Sequence, residues 1–293
     1  MSTAPRVLPS WNDGPARDAV LGFVRAVSSP GPAYVAPGDR IAAFDMDGTL
    51  WCERPLYVQA DFVMRRFVEM AREDPRLADE QPYKAAVEGD LDWIMDIYGH
   101  QSELLKGLGE AQAGLTTDEF ETHARDFFAS ATHPRFGVPY TETVYRPMLE
   151  LIEVLEATDF KVYVCSAGGR DFLRTVSEQV CKLPRDRVIG SAAVLEYRDG
   201  RLYRTRRAEE PIADGPGKPV HVWTRTGHLP LLAGGNSDGD VPMLETARFG
   251  LLVRHDDAVR EYAYDDGSEQ ALAAAAERGW TVVSMKRDFA TVF

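Results

Sequence analysis

The stretch Ile41-Ala42-Ala43-Phe44-Asp45-Met46-Asp47-Gly48-Thr49-Leu50 decides the fold. Its first four residues are apolar without alternation, the pattern of a strand buried on both faces. The strand empties at once into an acidic loop with a glycine. In an open parallel sheet, ligands bind outside the carboxyl ends of the strands, so this junction is where a site belongs. If strand geometry persists, Asp45 and Asp47 point to one side. Two carboxylates so close repel each other, and a cation relieves the repulsion. Mg²⁺ suits the position because it takes oxygen ligands and keeps some of its waters.

Working outward, the same grammar recurs. A strand at Phe160–Cys165 runs into Ser166-Ala167-Gly168-Gly169, with a helix following across Phe172–Val180. Leu231-Leu232-Ala233 runs into Gly234-Gly235-Asn236-Ser237-Asp238-Gly239-Asp240, with a helix at Val241–Thr246. Phe249–Val253 and Trp280–Val283 read as further strands, separated by a helix at Glu269–Arg278. Ala193–Tyr197 and Arg201–Thr205 flank Asp199-Gly200, a type I′ hairpin signal. Upstream, Asp13 and Pro15 mark a helix start, and Val20, Phe23, Val24 and Val27 fall on one helical face.

Between the first two strands the pattern changes. Leu56–Arg72, Ser102–Ala113, Thr116–Ser130 and Tyr145–Ala157 read as amphipathic helices, with Thr116 and Glu119 spaced as a capping box. No strand interrupts them. The sequence therefore predicts an α/β fold. Its core is a doubly wound, Rossmann-like parallel sheet formed by 1–52 and 158–293, and residues 53–157 form an inserted all-helical cap domain. The loops at 45–49, 166–169 and 235–240 are predicted to meet.

Those loops suggest a chemistry. Asp45, ionised beside a phosphate, can act as a nucleophile and form an aspartyl-phosphate. Asp47 can protonate the leaving oxygen and later take a proton from water. The Ser166 hydroxyl, nearby N–H groups and a helix end suit a phosphoryl oxygen. Lys218, read in a rigid loop over 214–219, can neutralise phosphate and a neighbouring aspartate. Asn236, Asp238 and Asp240 offer oxygen ligands. No glutamate follows at loop position twelve and no helix precedes them, which excludes a calcium hand and leaves a Mg²⁺ loop opposite Asp45. Taken singly, these are a turn, an N-cap serine, a surface lysine and a polar loop. Their order after successive strands is the signal.

In that order, the chain resembles the haloacid dehalogenase-like hydrolase superfamily. Asp45 to Leu50 matches its first motif, Ser166 the second, Lys218 the third and Gly235 to Asp240 the fourth. The helical insert resembles the cap of phosphoserine phosphatase-like members. The resemblance implies that Asp45 is the nucleophile and Asp47 the general acid/base. It places Thr49, Ser166, Ala167 and Lys218 on the phosphoryl group, and Mg²⁺ on Asp45, the Asp47 backbone, Asn236 and Asp240. Asp47 argues against a true dehalogenase. Asn236 departs from the family's usual aspartate, and Asp238 or Asp240 is expected to supply the missing charge. Glu53 and Arg54, just past motif one, are the cap-entry residues expected to touch the substrate. Arg65 and Arg66 are expected to be solvated, Trp51 to be core or pocket wall, and His255-Asp256-Asp257 a polar loop.

Composition bounds the partners. Of 293 residues, 33 are Lys or Arg and 46 Asp or Glu, a net charge of −13. This excludes nucleic acid and an anionic membrane as partners, and a phosphorylated ligand then needs a cation. Cys52, Cys165 and Cys181 form no CxxC pair, which points to a reducing compartment. The six histidines show no zinc-site spacing. No apolar run follows Met1–Arg6, so no signal peptide is read and a cytoplasmic location is expected. The expected function is Mg²⁺-dependent hydrolysis of a small phosphorylated metabolite. The alternatives are a phosphotransferase of the same fold and a non-catalytic metal- or phosphate-binding module.

Overall fold

A computed structural model describes residues 7–293. The reading of Met1–Arg6 as lacking a signal peptide falls outside the described residues. In chain order the strands are β1 (Ile41–Phe44), β2 (Lys161–Gly169), β3 (Val188–Ser191), β4 (Ala193–Arg198), β5 (Arg201–Ala208), β6 (Leu232–Gly235), β7 (Phe249–Arg254) and β8 (Thr281–Ser284). Six of them form a parallel sheet in the order β3-β2-β1-β6-β7-β8. Chain direction across the sheet reverses between β1 and β6, the switch point at which doubly wound sheets open a crevice.

The alternation of strand side chains builds two layers. Ala42 and Phe44 join a buried cluster with Val162, Val164 and the helices Pro15–Ser28 and Arg146–Ala157. Ile41 and Ala43 point the other way, into a cluster with Cys165, Val222, Met243, Leu244, Ala271 and Ala275. Every residue of β1 is buried, which is why its sequence shows no polar alternation.

The chain between β1 and β2 is helical, as expected. Beyond the four expected helices it contains two short ones, Tyr83–Glu88 and Leu91–Met95. Neither is long enough to show an amphipathic period. Val63, Met64 and Phe67 of the Val58–Glu73 helix pack with Tyr83 and Ala86 in a cluster of their own, away from the sheet. The Thr117–Ser130 helix instead sends Phe120, Ala124, Phe127 and Phe128 into the main core.

The β4–β5 hairpin turns at Asp199 and Gly200, both with positive φ (48° and 81°), as a type I′ turn requires. Although it follows β3 in sequence, the hairpin lies against the helical insert. The Gly114 N–H donates to the Arg204 carbonyl (2.9 Å), and the Arg204 N–H donates to the Leu115 carbonyl (2.8 Å). Tyr203 bridges to Thr116. The Arg204 guanidinium, buried and stacked over Phe120 (4.0 Å), donates to Gln112 (2.8 and 2.6 Å) and to Asp171 (2.5 Å). One side chain thus ties the hairpin, the insert and the helix after β2 together. Among the described residues, no helix is long and apolar enough to cross a membrane.

Candidate active site

Strand pairing continues one residue past β1, where the Asp45 N–H donates to the Gly234 carbonyl (2.9 Å). The chain then coils tightly. Leu50 and Trp51 N–H groups return to the Met46 carbonyl (2.9 and 3.2 Å), and the Gly48 N–H donates to the Trp51 carbonyl (2.9 Å). Gly48 has φ +74°, and a Cβ there would lie 2.1 Å from Asn236 Nδ2. Only glycine satisfies both the left-handed backbone and the contact. The first and fourth motif loops are therefore pressed together.

Lys218 Nζ joins the third motif to both. It lies 2.5 Å from Asp45 Oδ1 and 2.6 Å from Asp240 Oδ1, with all three side chains buried. The other Asp240 oxygen accepts from the N–H groups of Asn236 (2.9 Å) and Ser237 (3.0 Å) and from the Ser237 hydroxyl (3.1 Å). Asp240 thus binds its own loop while holding the lysine. Lys218 was expected in a rigid loop. It is instead the second residue of the Gly217–Thr226 helix, and Pro219 fits there because the first turn requires no donated N–H.

Ser166 was expected at the start of a loop. The strand β2 instead runs through Gly169, with an irregular register against β3 between Ser166 and Gly169. That irregularity turns the Gly168 N–H onto the Ser166 hydroxyl (3.0 Å). The helix behind it is broken into Arg170–Arg174 and Ser177–Val180. It is too short to offer the expected dipole, so any anion cradle here comes from residues 166–168. Gln59, from the insert, closes the far side by accepting from the Gly169 N–H (2.5 Å).

The expected site residues divide. Asp45, Asp47, Glu53, Ser166, Ala167 and Lys218 line one cavity of about 330 Å³. Asn236 and Asp240 support it from behind. Thr49 does not face the cavity. It is buried and its hydroxyl donates to Asn236 Oδ1 (2.9 Å), so its side chain braces the fourth motif instead of meeting a phosphoryl group. Asp238 turns away and accepts from the Ala271 N–H (2.8 Å), leaving Asp240 as the fourth-motif carboxylate at the site. Arg54 is stacked over Tyr264 (4.5 Å) and paired with Asp266 (2.5 Å), outside the cavity lining. Glu53 lines the cavity, but Tyr264 (2.5 Å) and Asn236 Nδ2 (3.1 Å) both donate to its Oε1. Arg65 and Arg66 pair with acids of their own helix, as solvated residues do.

Some partners had no sequence signal. Trp51 is buried in the main core, as expected, and its indole N–H also donates to Asp47 Oδ1 (2.8 Å). His255 is buried under the first motif, with one ring nitrogen 2.8 Å from the Gly48 carbonyl and the other 3.1 Å from Glu261. Spacing could have suggested Trp51, four residues after Asp47, but nothing local to His255 marks its distant contact.

Charge at the site is unbalanced. Asp45, Asp47, Glu53 and Asp240 share one buried ammonium. Burial, opposed by Lys218 and reinforced by Asp240 and Asp47, holds Asp45 well above the usual carboxylate range. Burial pushes Asp47 up to about 7, against the hydrogen bond from Trp51 and with the help of Glu53. Burial alone would lower Lys218, but Asp240 and Asp45 outweigh it and hold the ammonium firmly protonated. Among the described residues, no three acidic, histidine or cysteine side chains form a ready-made metal cage. The fit to a metal rests on a mixed oxygen set: the Asp45 carboxylate, the backbone at Asp47 and the Asn236 amide, backed by Asp240. Hard oxygen donors with excess negative charge are the donor chemistry of Mg²⁺.

Comparison with known proteins agrees with this geometry. The model of the haloacid dehalogenase-like hydrolase family matches residues 42–245. No curated protein matches the chain. Among solved structures, a protein of unknown function from Bordetella pertussis Tohama I is similar at 21% identity and a TM-score of 0.55, over 84% of this chain and 98% of that one. A functionally unknown protein from Anaerococcus prevotii DSM 20548 is similar at 15% identity and a TM-score of 0.58, over 93% and 94%. These two similarities speak to the fold alone. The family match spans both motif-bearing ends of the site, and the chain belongs to the haloacid dehalogenase-like hydrolase family.

Proposed function

We propose that the protein is a Mg²⁺-dependent phosphatase that hydrolyses a small phosphomonoester through an aspartyl-phosphate on Asp45. The observation that carries this reading is Lys218 clamped between Asp45 and Asp240, with Asp47 and Ser166 lining the same cavity. The ammonium fixes one Asp45 oxygen, which orients the carboxylate before any substrate arrives. It also supplies positive charge where a phosphoryl group would sit.

In the first step, an Asp45 oxygen bonds to phosphorus and the bond to the leaving oxygen breaks. Asp47 gives its proton to that oxygen. A buried carboxyl held near neutral pH is suited to both halves of such an exchange. In the second step, water bonds to phosphorus, its proton passes to Asp47, and the Asp45–phosphorus bond breaks. Lys218, the Ser166 hydroxyl and the Ala167 backbone hold the phosphoryl oxygens. Bound Mg²⁺ would neutralise the carboxylates and the phosphoryl charge. Asp45, Asn236 and the Asp47 backbone would hold it, with Asp240 behind them.

The test is release of inorganic phosphate from an aryl phosphate with Mg²⁺. The expected result is turnover by the wild type and a loss on the order of 10⁶-fold in Asp45→Asn, as removal of a nucleophile gives elsewhere. Equal turnover by the two proteins would overturn the reading.

A further inference from the structure

The cavity that begins at Asp45 does not end there. Above the loops that carry Asp45 and Asp47 its apolar wall is made by the insert: Val63, Met64 and Phe67 from one helix, Ile94 from a second, and Leu105 and Leu108 from a third, with the hairpin opposite. These apolar side chains face the same space as Asp47 and Ser166. An apolar surface opening onto a buried charged site costs free energy unless something apolar covers it.

Several polar groups in this wall are already engaged. Gln112 and Arg204 hold each other, and Arg204 also holds Asp171. Asp214 accepts from the Tyr98 hydroxyl (3.0 Å) and the Gly215 N–H (2.9 Å). The Glu53 carboxylate is held by Tyr264 and Asn236. Outside the catalytic pair the lining holds two carboxylates, Glu53 and Asp214, beside a wall that is otherwise largely aliphatic. The remaining cations, Arg206 and Arg207, are exposed at the hairpin edge.

We infer that the substrate is a phosphomonoester with an uncharged, apolar leaving group, an alkyl chain being the simplest form. The phosphoryl head would lie against Asp45, Ser166 and Lys218 and the chain between the insert and the hairpin. This deepens the phosphatase reading and rests on it for the placement of the head.

The test uses two matched series, methyl to octyl, on the full-length protein with saturating Mg²⁺. Binding of alkylphosphonates, which cannot turn over, is measured by calorimetry. Turnover of the corresponding alkyl phosphates and of phosphoserine is measured by phosphate release. The expected result is a Kd that tightens about two- to fourfold per methylene until the chain reaches the rim, with kcat/KM rising in parallel and phosphoserine below the longer alkyl phosphates. In Met64→Gln and Leu108→Gln the gain per methylene should shrink. A wild-type octylphosphonate that binds no tighter than methylphosphonate overturns the inference. If turnover is present but independent of chain length, the substrate class falls and the phosphatase reading stands. If phosphonates bind more tightly with length while no phosphate is released, the phosphatase reading falls and the apolar subsite stands.

Discussion

The floor and the roof of the cavity are built by opposite rules. The floor gathers buried charge from the loops after β1 and β6 and from the start of the Gly217–Thr226 helix, beside the polar end of β2, and each charged group is held by backbone, a polar side chain or another charge. The roof is mostly apolar, supplied by helices of the insert that form clusters apart from the sheet, with the hairpin beside them. The contrast shows how the work is divided. Electrostatic preorganisation demands atoms fixed within the rigid sheet, where the backbone itself is the ruler. An apolar wall needs only shape, and helices distant in sequence can supply it. Changes in the floor should therefore affect every substrate alike, whereas changes in the roof should alter stability or selection.

The sharpest way to break this contrast is at Lys218. Lys218→Met leaves Asp45 and Asp240 buried side by side without their ammonium. Removing one partner of a buried pair costs about 3–5 kcal/mol, so the denaturation midpoint should fall steeply and turnover of every phosphomonoester should fall with it. A loss below about 1 kcal/mol, the size of an exposed pair, would show that the floor is held by something other than this clamp.

A smaller effect belongs to the charge that anchors the roof. Burial would raise the Asp171 carboxyl, but Arg204 and Arg170 outweigh it and hold it below its ordinary range. A carboxyl depressed in the folded state stabilises that state above its unfolded pKa of about 4. The contribution is lost as pH falls from there through the lower folded value. Arg204→Met should therefore destabilise by about 2–3 kcal/mol at pH 7, toward the lower side of the cost of breaking a buried pair because Asp171 is partly exposed. The gap from wild type should narrow below about pH 4. Denaturant melts of both proteins across pH 3–7 read this directly, and a gap independent of pH would assign the loss to packing over Phe120 instead.

The same contrast explains what could be read from the sequence. The floor was legible because the first, second and fourth motifs sit at the carboxyl ends of strands, and strand order places those ends together. Asp45, Asp47, Ser166 and Lys218 needed no three-dimensional search. The Thr49 side chain, and the choice of Asp240 over Asp238, could not be read because a motif gives position along the chain and not the direction of a side chain. Thr49 turns to Asn236 and Asp238 to the Glu269–Arg278 helix. Lys218 was read in a loop because Gly and Pro flank it, although a helix tolerates both in its first turn. The roof was scarcely legible. The Tyr83–Glu88 and Leu91–Met95 helices are shorter than two turns, and the hairpin's partner lies some ninety residues upstream, beyond any local pattern. Arg204, exposed by its place in a hairpin, is buried only because Gln112 and Asp171 come to meet it.

The smallest effect tests whether floor and roof can be separated at all. Thr116 caps the Thr117–Ser130 helix: its hydroxyl accepts from the Glu119 N–H (3.2 Å), while its own N–H donates to the Glu119 carboxylate (2.8 Å). The same residue bridges to Tyr203 of the hairpin, yet it is not part of the cavity lining. Thr116→Ala removes one half of the capping box and should cost about 1 kcal/mol. Thr116→Ser, which keeps the acceptor, should cost a fraction of that. Because Phe120 and Phe127 of this helix are buried in the main core, the loss should appear as one cooperative transition with an earlier midpoint. Turnover of methyl phosphate at 25 °C should be unchanged, since no atom of the floor has moved. If turnover instead falls with the midpoint, the helix that carries the hairpin also positions the loops of the floor, and floor and roof act as one unit.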